Sequence, residues 1–202
     1  MEGSIEEIVN LGEFAKKLHI YFRTASMGIS FLVFGAVFGG YWLVIFSIGA
    51  IYKSPWIFIG GALGCIPLTF LCVFLVAKTV PGIRREGIPN EGARWVASVI
   101  IPIATAILIS LLYPEASSFL WYGVLGASFL LVHLFIERLL ISAGLLNARP
   151  FLLASILILL TFPALFLLPP YTASMTALGL CLLFYSLAGV YALARASKLF
   201  SE

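Results

Sequence analysis

The 45 residues 150–194, PFLLASILILLTFPALFLLPPYTASMTALGLCLLFYSLAGVYALA, run from Arg149 to Arg195 without one charged side chain. A helix rising 1.5 Å per residue needs about 20 apolar residues to cross a hydrocarbon core of ~30 Å. One crossing cannot absorb this stretch. Pro169-Pro170 stands near its middle, where a helix has to stop, so it reads as two spans, about 150–168 and 171–195.

The same measurement between charges organises the rest. Arg23 to Lys53 encloses 29 uncharged residues, Lys53 to Lys78 encloses 24, Arg94 to Glu115 encloses 20 and Glu115 to Glu137 encloses 21. Each holds one span, about 26–52, 55–78, 93–113 and 118–143. The expected fold is therefore all-α, a polytopic integral membrane protein with six transmembrane helices in residues 24–202. Composition agrees: 62% of the 202 residues are hydrophobic and 10% charged, and mean hydropathy is +1.11, which excludes a soluble domain. Start signals support the boundaries: Ser54-Pro55, Asn90, Ser117 or Ser118, Pro150 and Thr172.

Residues 1–23 are too polar for a span. Ser4-Ile5-Glu6-Glu7 has the form of a capping box, and Ile5, Ile8, Leu11, Ala15, Leu18 and Phe22 share one helical arc opposite Glu6, Glu7, Asn10, Glu13 and Lys17. The segment is expected to be a separate amphipathic helix on the inner membrane surface, serving as a topology anchor or a docking helix. It lacks the apolar core and cleavage site of a signal peptide.

Eleven of the twelve Lys and Arg residues fall on one side of this topology and Lys53 alone on the other. Because basic residues mark the cytoplasmic side, both termini are expected there, in a multi-pass protein of the cell membrane. Expected partners are the lipid bilayer, anionic headgroups at the inner face, and a protein on the N-terminal helix or the 78–94 loop. Nothing suggests nucleic acid.

Small residues predict packing. Gly35-x-x-x-Gly39 and Ala36-x-x-x-Gly40 in span one, with Gly60-x-x-x-Gly64 in span two, suggest a tight hairpin of these two helices. Pro67, Pro102 and Pro163 fall inside spans two, three and five, where each bends its helix or opens it beside a ligand. A three-plus-three inverted repeat is a weaker expectation, resting on the similar starts of spans two and five.

Ionisable groups within spans are costly and mark function by default. Here they are few. His133 and Glu137 lie i,i+4 on one face of span four, with Arg138 beside them, and this pair either contacts a ligand or ties helices together. Ser174, Cys181 and Tyr185 follow a small, mildly polar stripe on span six, a cavity wall or a helix contact. Candidate ligand-binding residues are thus His133, Glu137, Arg138, Ser174, Cys181 and Tyr185, in a pocket bounded by spans two, four, five and six. No catalytic residue is assigned, and no cofactor or metal is expected. The chain lacks Asp altogether, and its three cysteines, Cys65, Cys72 and Cys181, form no C-x-x-C pair. Three classes remain: a small transporter or permease subunit for a neutral or amphipathic substrate, a non-catalytic anchor subunit of a larger membrane complex, and an enzyme acting on a lipid-like substrate.

Overall fold

Among the described residues, six helices are long and apolar enough to cross a membrane. The structure, a computed structural model, describes residues 2–52, 54–79, 88–112 and 117–200. Span one is α1 (Glu2–Tyr52), span two α2 (Pro55–Thr79) and span three α3 (Glu91–Leu112). Span four joins α4 (Ser117–Val132), a π-helical turn (His133–Glu137) and α5 (Arg138–Ser142). Span five is α6 (Pro150–Thr161) tightening into a 3-10 segment (Phe162–Leu167) that begins around Pro163, and span six is α7 (Pro170–Ser197) with a final 3-10 turn (Lys198–Phe200).

One expectation is corrected at the outset. The N-terminal segment is no separate surface helix, because α1 is continuous from Glu2 to Tyr52. No proline interrupts it, and with 51 residues it is about 76 Å long, more than twice the hydrocarbon thickness. Residues 9–17 are exposed, and the helix meets the end of span six where Phe14 and Tyr21 pack on Phe200, ring centroids 6.2 and 5.2 Å apart, before Thr24 and Ala25 are buried. The side chains of the expected capping box at Ser4 and of the expected caps Ser117 and Ser118 lie outside what is described, as do the turns at Lys53 and Glu115 and residues 80–87 of the 78–94 loop.

Other start signals resolve individually. Asn90 takes a left-handed φ of 59° and its carbonyl accepts the Arg94 N–H at 3.1 Å, opening span three. Span six starts at Pro170, with the Pro169 carbonyl accepting from Ala173 N–H at 2.8 Å, so Thr172 sits inside the first turn instead of capping it.

The bundle is built on the seam between spans one and six, its most extensive contact. Gly28 and Gly189 bring the two backbones together: a Cβ on Gly28 would lie 2.9 Å from the Gly189 carbonyl oxygen. Gly35 faces Tyr185 and Gly39 faces Leu182. Of the glycines expected to join spans one and two, Gly35 and Gly39 therefore serve span six, whereas Gly64 does face span one, at Tyr41. Spans one and two do pack, but through Gly49 against Phe58, Gly61 against Ile45, and the Tyr41 hydroxyl donating to the Gly61 carbonyl at 2.8 Å. Gly40 and Gly60 face open space. Span four packs on spans three, five and six. Span five packs on span six, whereas span two has no comparable contact with span three among the described residues, so the packing does not follow an inverted repeat.

Helices in lipid associate through such close packing, since their apolar surfaces gain little from leaving lipid. Gly28→Leu is expected to destabilise the bundle by about 1–3 kcal/mol, the usual cost of overpacking, while Gly40→Leu leaves it unchanged. Unfolding midpoints in mild detergent measure the difference.

Candidate functional site

Span four ends in a turn that decides where span five begins. Gly144 has φ +67°, Leu145 N–H donates to the Leu140 carbonyl at 2.9 Å and Gly144 N–H to the Ile141 carbonyl at 3.0 Å. This paired arrangement reverses the chain at a glycine that alone adopts that φ freely. The returning strand is held at Asn147, whose backbone N–H donates to Thr24 Oγ1 at 3.3 Å and whose Nδ2 donates to the Arg195 carbonyl at 3.5 Å. Spans one, five and six are thereby tied at one end.

The first N–H groups of a helix have no partner within it. In span five every early donor is accounted for. Pro150, at the first position, has none, and Leu153 N–H reaches the Arg149 carbonyl at 3.1 Å. Phe151 N–H donates to Glu137 Oε1 at 3.0 Å and Leu152 N–H to Glu137 Oε2 at 3.2 Å. The cap comes from the preceding span, since Arg149 supplies none. A carboxylate here also meets the positive end of the helix dipole. His133 Nδ1 lies 2.6 Å from Glu137 Oε2, and Glu137 is 0% exposed.

The pair sits on the π turn, where the Arg138 N–H bonds to the His133 carbonyl five residues back. Such turns interrupt an α-helix and frequently mark functional positions. Arg94 of span three donates through Nη1 to the Phe135 carbonyl inside this turn at 3.0 Å, and Arg23 meets Glu91 at 3.6 Å nearby in the sequence of span three. The polar groups at this end thus hold spans one, three, four, five and six in register.

The principal cavity lies elsewhere. It has a volume of about 370 Å³, is open on one side, and is lined from spans one, three, four and six. Span one contributes Phe34, Gly35, Phe38, Gly39 and Trp42; span three contributes Trp95, Val99 and Ile103. Trp121, Ser128 and Phe129 come from span four, and Cys181 and Tyr185 from span six. Seven of the lining side chains are aromatic and none is charged.

Of the candidates read from the sequence, Cys181 and Tyr185 reach the cavity. His133 and Glu137 meet each other and cap span five. Arg138 is exposed and makes no ion pair among the described residues, and Ser174 is buried, donating to the Pro170 carbonyl at 3.0 Å. Pro67, Pro102 and Pro163 do not line it. Its walls are spans one, three, four and six instead of two, four, five and six. Sequence reasoning missed Ser128 and the tryptophans; the signal present was Trp42, Trp95 and Trp121 in three different spans.

Phe151 connects the two features. Its N–H is held by Glu137, while its ring packs against Trp95 and Phe129, both in the cavity wall, at centroid distances of 5.5 Å each. Phe31 closes the cluster at 4.9 Å from Phe151 and 5.4 Å from Tyr185. Among the described residues, no three His, Cys or Glu side chains gather as a metal site. Comparison with known protein families, characterised proteins and solved structures finds no match to this chain.

Glu137→Ala leaves two N–H groups and His133 without their acceptor, and is expected to cost about 2–4 kcal/mol, from the loss of a cap and of buried hydrogen bonds. Hydrogen exchange at Phe151 and Leu152 rises with it, and Glu137→Gln, which keeps a carbonyl acceptor, loses less. Unchanged exchange at those amides contradicts the capping role.

Proposed function

We propose that the chain is a small transporter or permease subunit that receives a neutral or amphipathic substrate in the cavity between spans one, three, four and six. The observation that carries this reading is the cavity itself: it lies between helices, it is walled by aromatic rings, and no charged side chain lines it. A charged solute there would lose its hydration with no counter-charge, at a cost of several kcal/mol or more. A neutral, largely apolar molecule loses little and gains ring contacts. The pocket is of the size of small-molecule sites, which run about 300–1,000 Å³.

In this reading the chain performs no reaction. Glu137 has all its hydrogen bonds within the protein, which suits a structural carboxylate better than a general base. Both termini lie in the cytoplasm, supported by the eleven-to-one distribution of basic residues and by the contacts that gather the start of span three and the ends of spans four and six at one end. Lys16, Lys17 and Arg23 on the long first helix then face anionic headgroups, and the 78–94 loop and the exposed residues 9–17 of α1 are the surfaces open to a protein partner. A second reading, the non-catalytic subunit, has one observation behind it: span two packs chiefly on span one and leaves Trp56, Leu63 and Phe74 exposed. Recovery with stoichiometric partners in mild detergent would favour it.

Two experiments test the proposal. In proteoliposomes the chain is expected to accelerate transbilayer movement of a dye-labelled ceramide several-fold, leaving dye-labelled phosphatidylserine unaffected, and Ser128→Phe returns the rate to that of empty vesicles; equal ceramide rates with and without protein contradict transport. For topology, green fluorescent protein fused after Glu202 is expected to fluoresce and alkaline phosphatase fused there to stay inactive. The opposite pair of results overturns the orientation.

A further inference from the structure

We propose that the cavity binds a flat, neutral, carbonyl-bearing lipid of the quinone class, its ring between the aromatic walls and its carbonyl oxygens accepting hydrogen bonds from Ser128 and Tyr185. This rests on the reading of the cavity as a ligand site and adds what the ligand is.

The first support is an unspent hydroxyl. Most buried helical serines in this protein hydrogen-bond a carbonyl of the preceding turn, among them Ser98 to Arg94 at 2.8 Å, Ser155 to Leu152 at 2.9 Å and Ser174 to Pro170 at 3.0 Å; Ser26 and Ser128 do not among the described residues, and of these two only Ser128 lines the cavity. Ser128 is only 8% exposed, lines the cavity, and has no hydrogen-bond partner among the described residues. The Tyr185 hydroxyl, also in the wall, has none either. A buried hydroxyl without a partner is costly, so a ligand that supplies one is favoured.

The second support is the sign of the unmet need. Trp95 and Trp121 carry donor-only N–H groups and likewise have no hydrogen-bond partner among the described residues. No carboxylate or side-chain amide lines the cavity. The walls therefore offer indole N–H donors and hydroxyls that can donate. A carbonyl, which accepts twice, can be met by two of these donors at once.

The third support is shape. Rings from four helices enclose the space, with Phe34 and Phe38 nearly coplanar in orientation, 5° between planes, and Phe129 and Tyr185 edge-on at 5.4 Å. Aromatic walls favour a flat π-system in offset or edge contact. A volume of about 370 Å³ accommodates a substituted benzoquinone ring and the first part of its chain, and the open side lets the rest lie in lipid.

The test is a titration of the full chain in mild detergent with a benzoquinone bearing a ten-carbon chain, read by quenching of tryptophan fluorescence. Three of the four tryptophans line the cavity, and Trp56 is exposed outside it. Quenching is expected to saturate. Ser128→Ala and Tyr185→Phe each weaken it roughly 3- to 10-fold, the effect of one hydrogen bond, and Ser128→Phe leaves only the unsaturable quenching caused by quinone in the micelle. Ser128→Ala removes a single oxygen and keeps the packing; its melting point, equal to the parent's, establishes that folding is intact. Displacement by an alkylbenzene of the same chain length as effectively as by unlabelled quinone, with no effect of Ser128→Ala, overturns the proposal and leaves the apolar site standing. Tenfold stronger displacement by a fifteen-carbon prenyl alcohol overturns it in favour of an alcohol. Saturable binding of none of these probes, with Ser128→Phe indistinguishable from the parent, overturns the ligand site as well.

Discussion

In hydrocarbon a backbone N–H or C=O has no water to turn to, so each must find its partner inside the protein. The start of span five is where this constraint presses hardest here. Pro150 opens the helix, Arg149 offers no side-chain cap, and the free donors of Phe151 and Leu152 arrive next to the end of span four. Glu137 meets both with one carboxylate, and His133 lies against the same group. Burying a carboxylate costs heavily unless it is hydrogen-bonded, and this one is fully engaged. The scarce polar groups of the chain are spent on assembling helices.

That assembly shapes the cavity. Glu137 fixes the backbone of Phe151, and the Phe151 ring supports Trp95 and Phe129 in the wall above it. On the other side, Gly35 and Gly39 perform two tasks with one absence: they let span one approach Tyr185 and Leu182 of span six, and they leave the wall of the cavity without side chains at those positions. The space is thus framed by a hydrogen-bonded turn at one end and a glycine seam along one side. Its interior keeps rings and a few hydroxyl, thiol and indole groups.

Much of the fold was legible because lipid imposes a simple rule. Five uncharged stretches, the longest divided at Pro169-Pro170, became six helices, and the prolines at 150 and 170 stand at the first turn as their chemistry requires. The facing of His133 and Glu137 followed from helical spacing, though the π turn that carries them did not, since nothing in Leu134-Phe135-Ile136 distinguishes it from an ordinary turn. Small-residue patterns reveal a face and not its partner, so Gly35 and Gly39 pointed to the wrong neighbour. The amphipathic arc of residues 5–22 was clear, but an arc does not say where a helix stops, and no breaker separates it from span one. Cavity walls depend on which side chains are absent between helices, which kinking prolines alone do not reveal.

In the proposed reading, this bundle holds its aromatic cavity open for a neutral ligand while its charges serve the scaffold. Native mass spectrometry of the chain released from the membranes in which it is made tests this most directly. The expected spectrum shows the chain carrying one neutral lipid per copy, present in the parent and in Arg138→Ala and lost in Ser128→Phe. A bare chain, or the same lipids carried equally by the parent and Ser128→Phe, contradicts it.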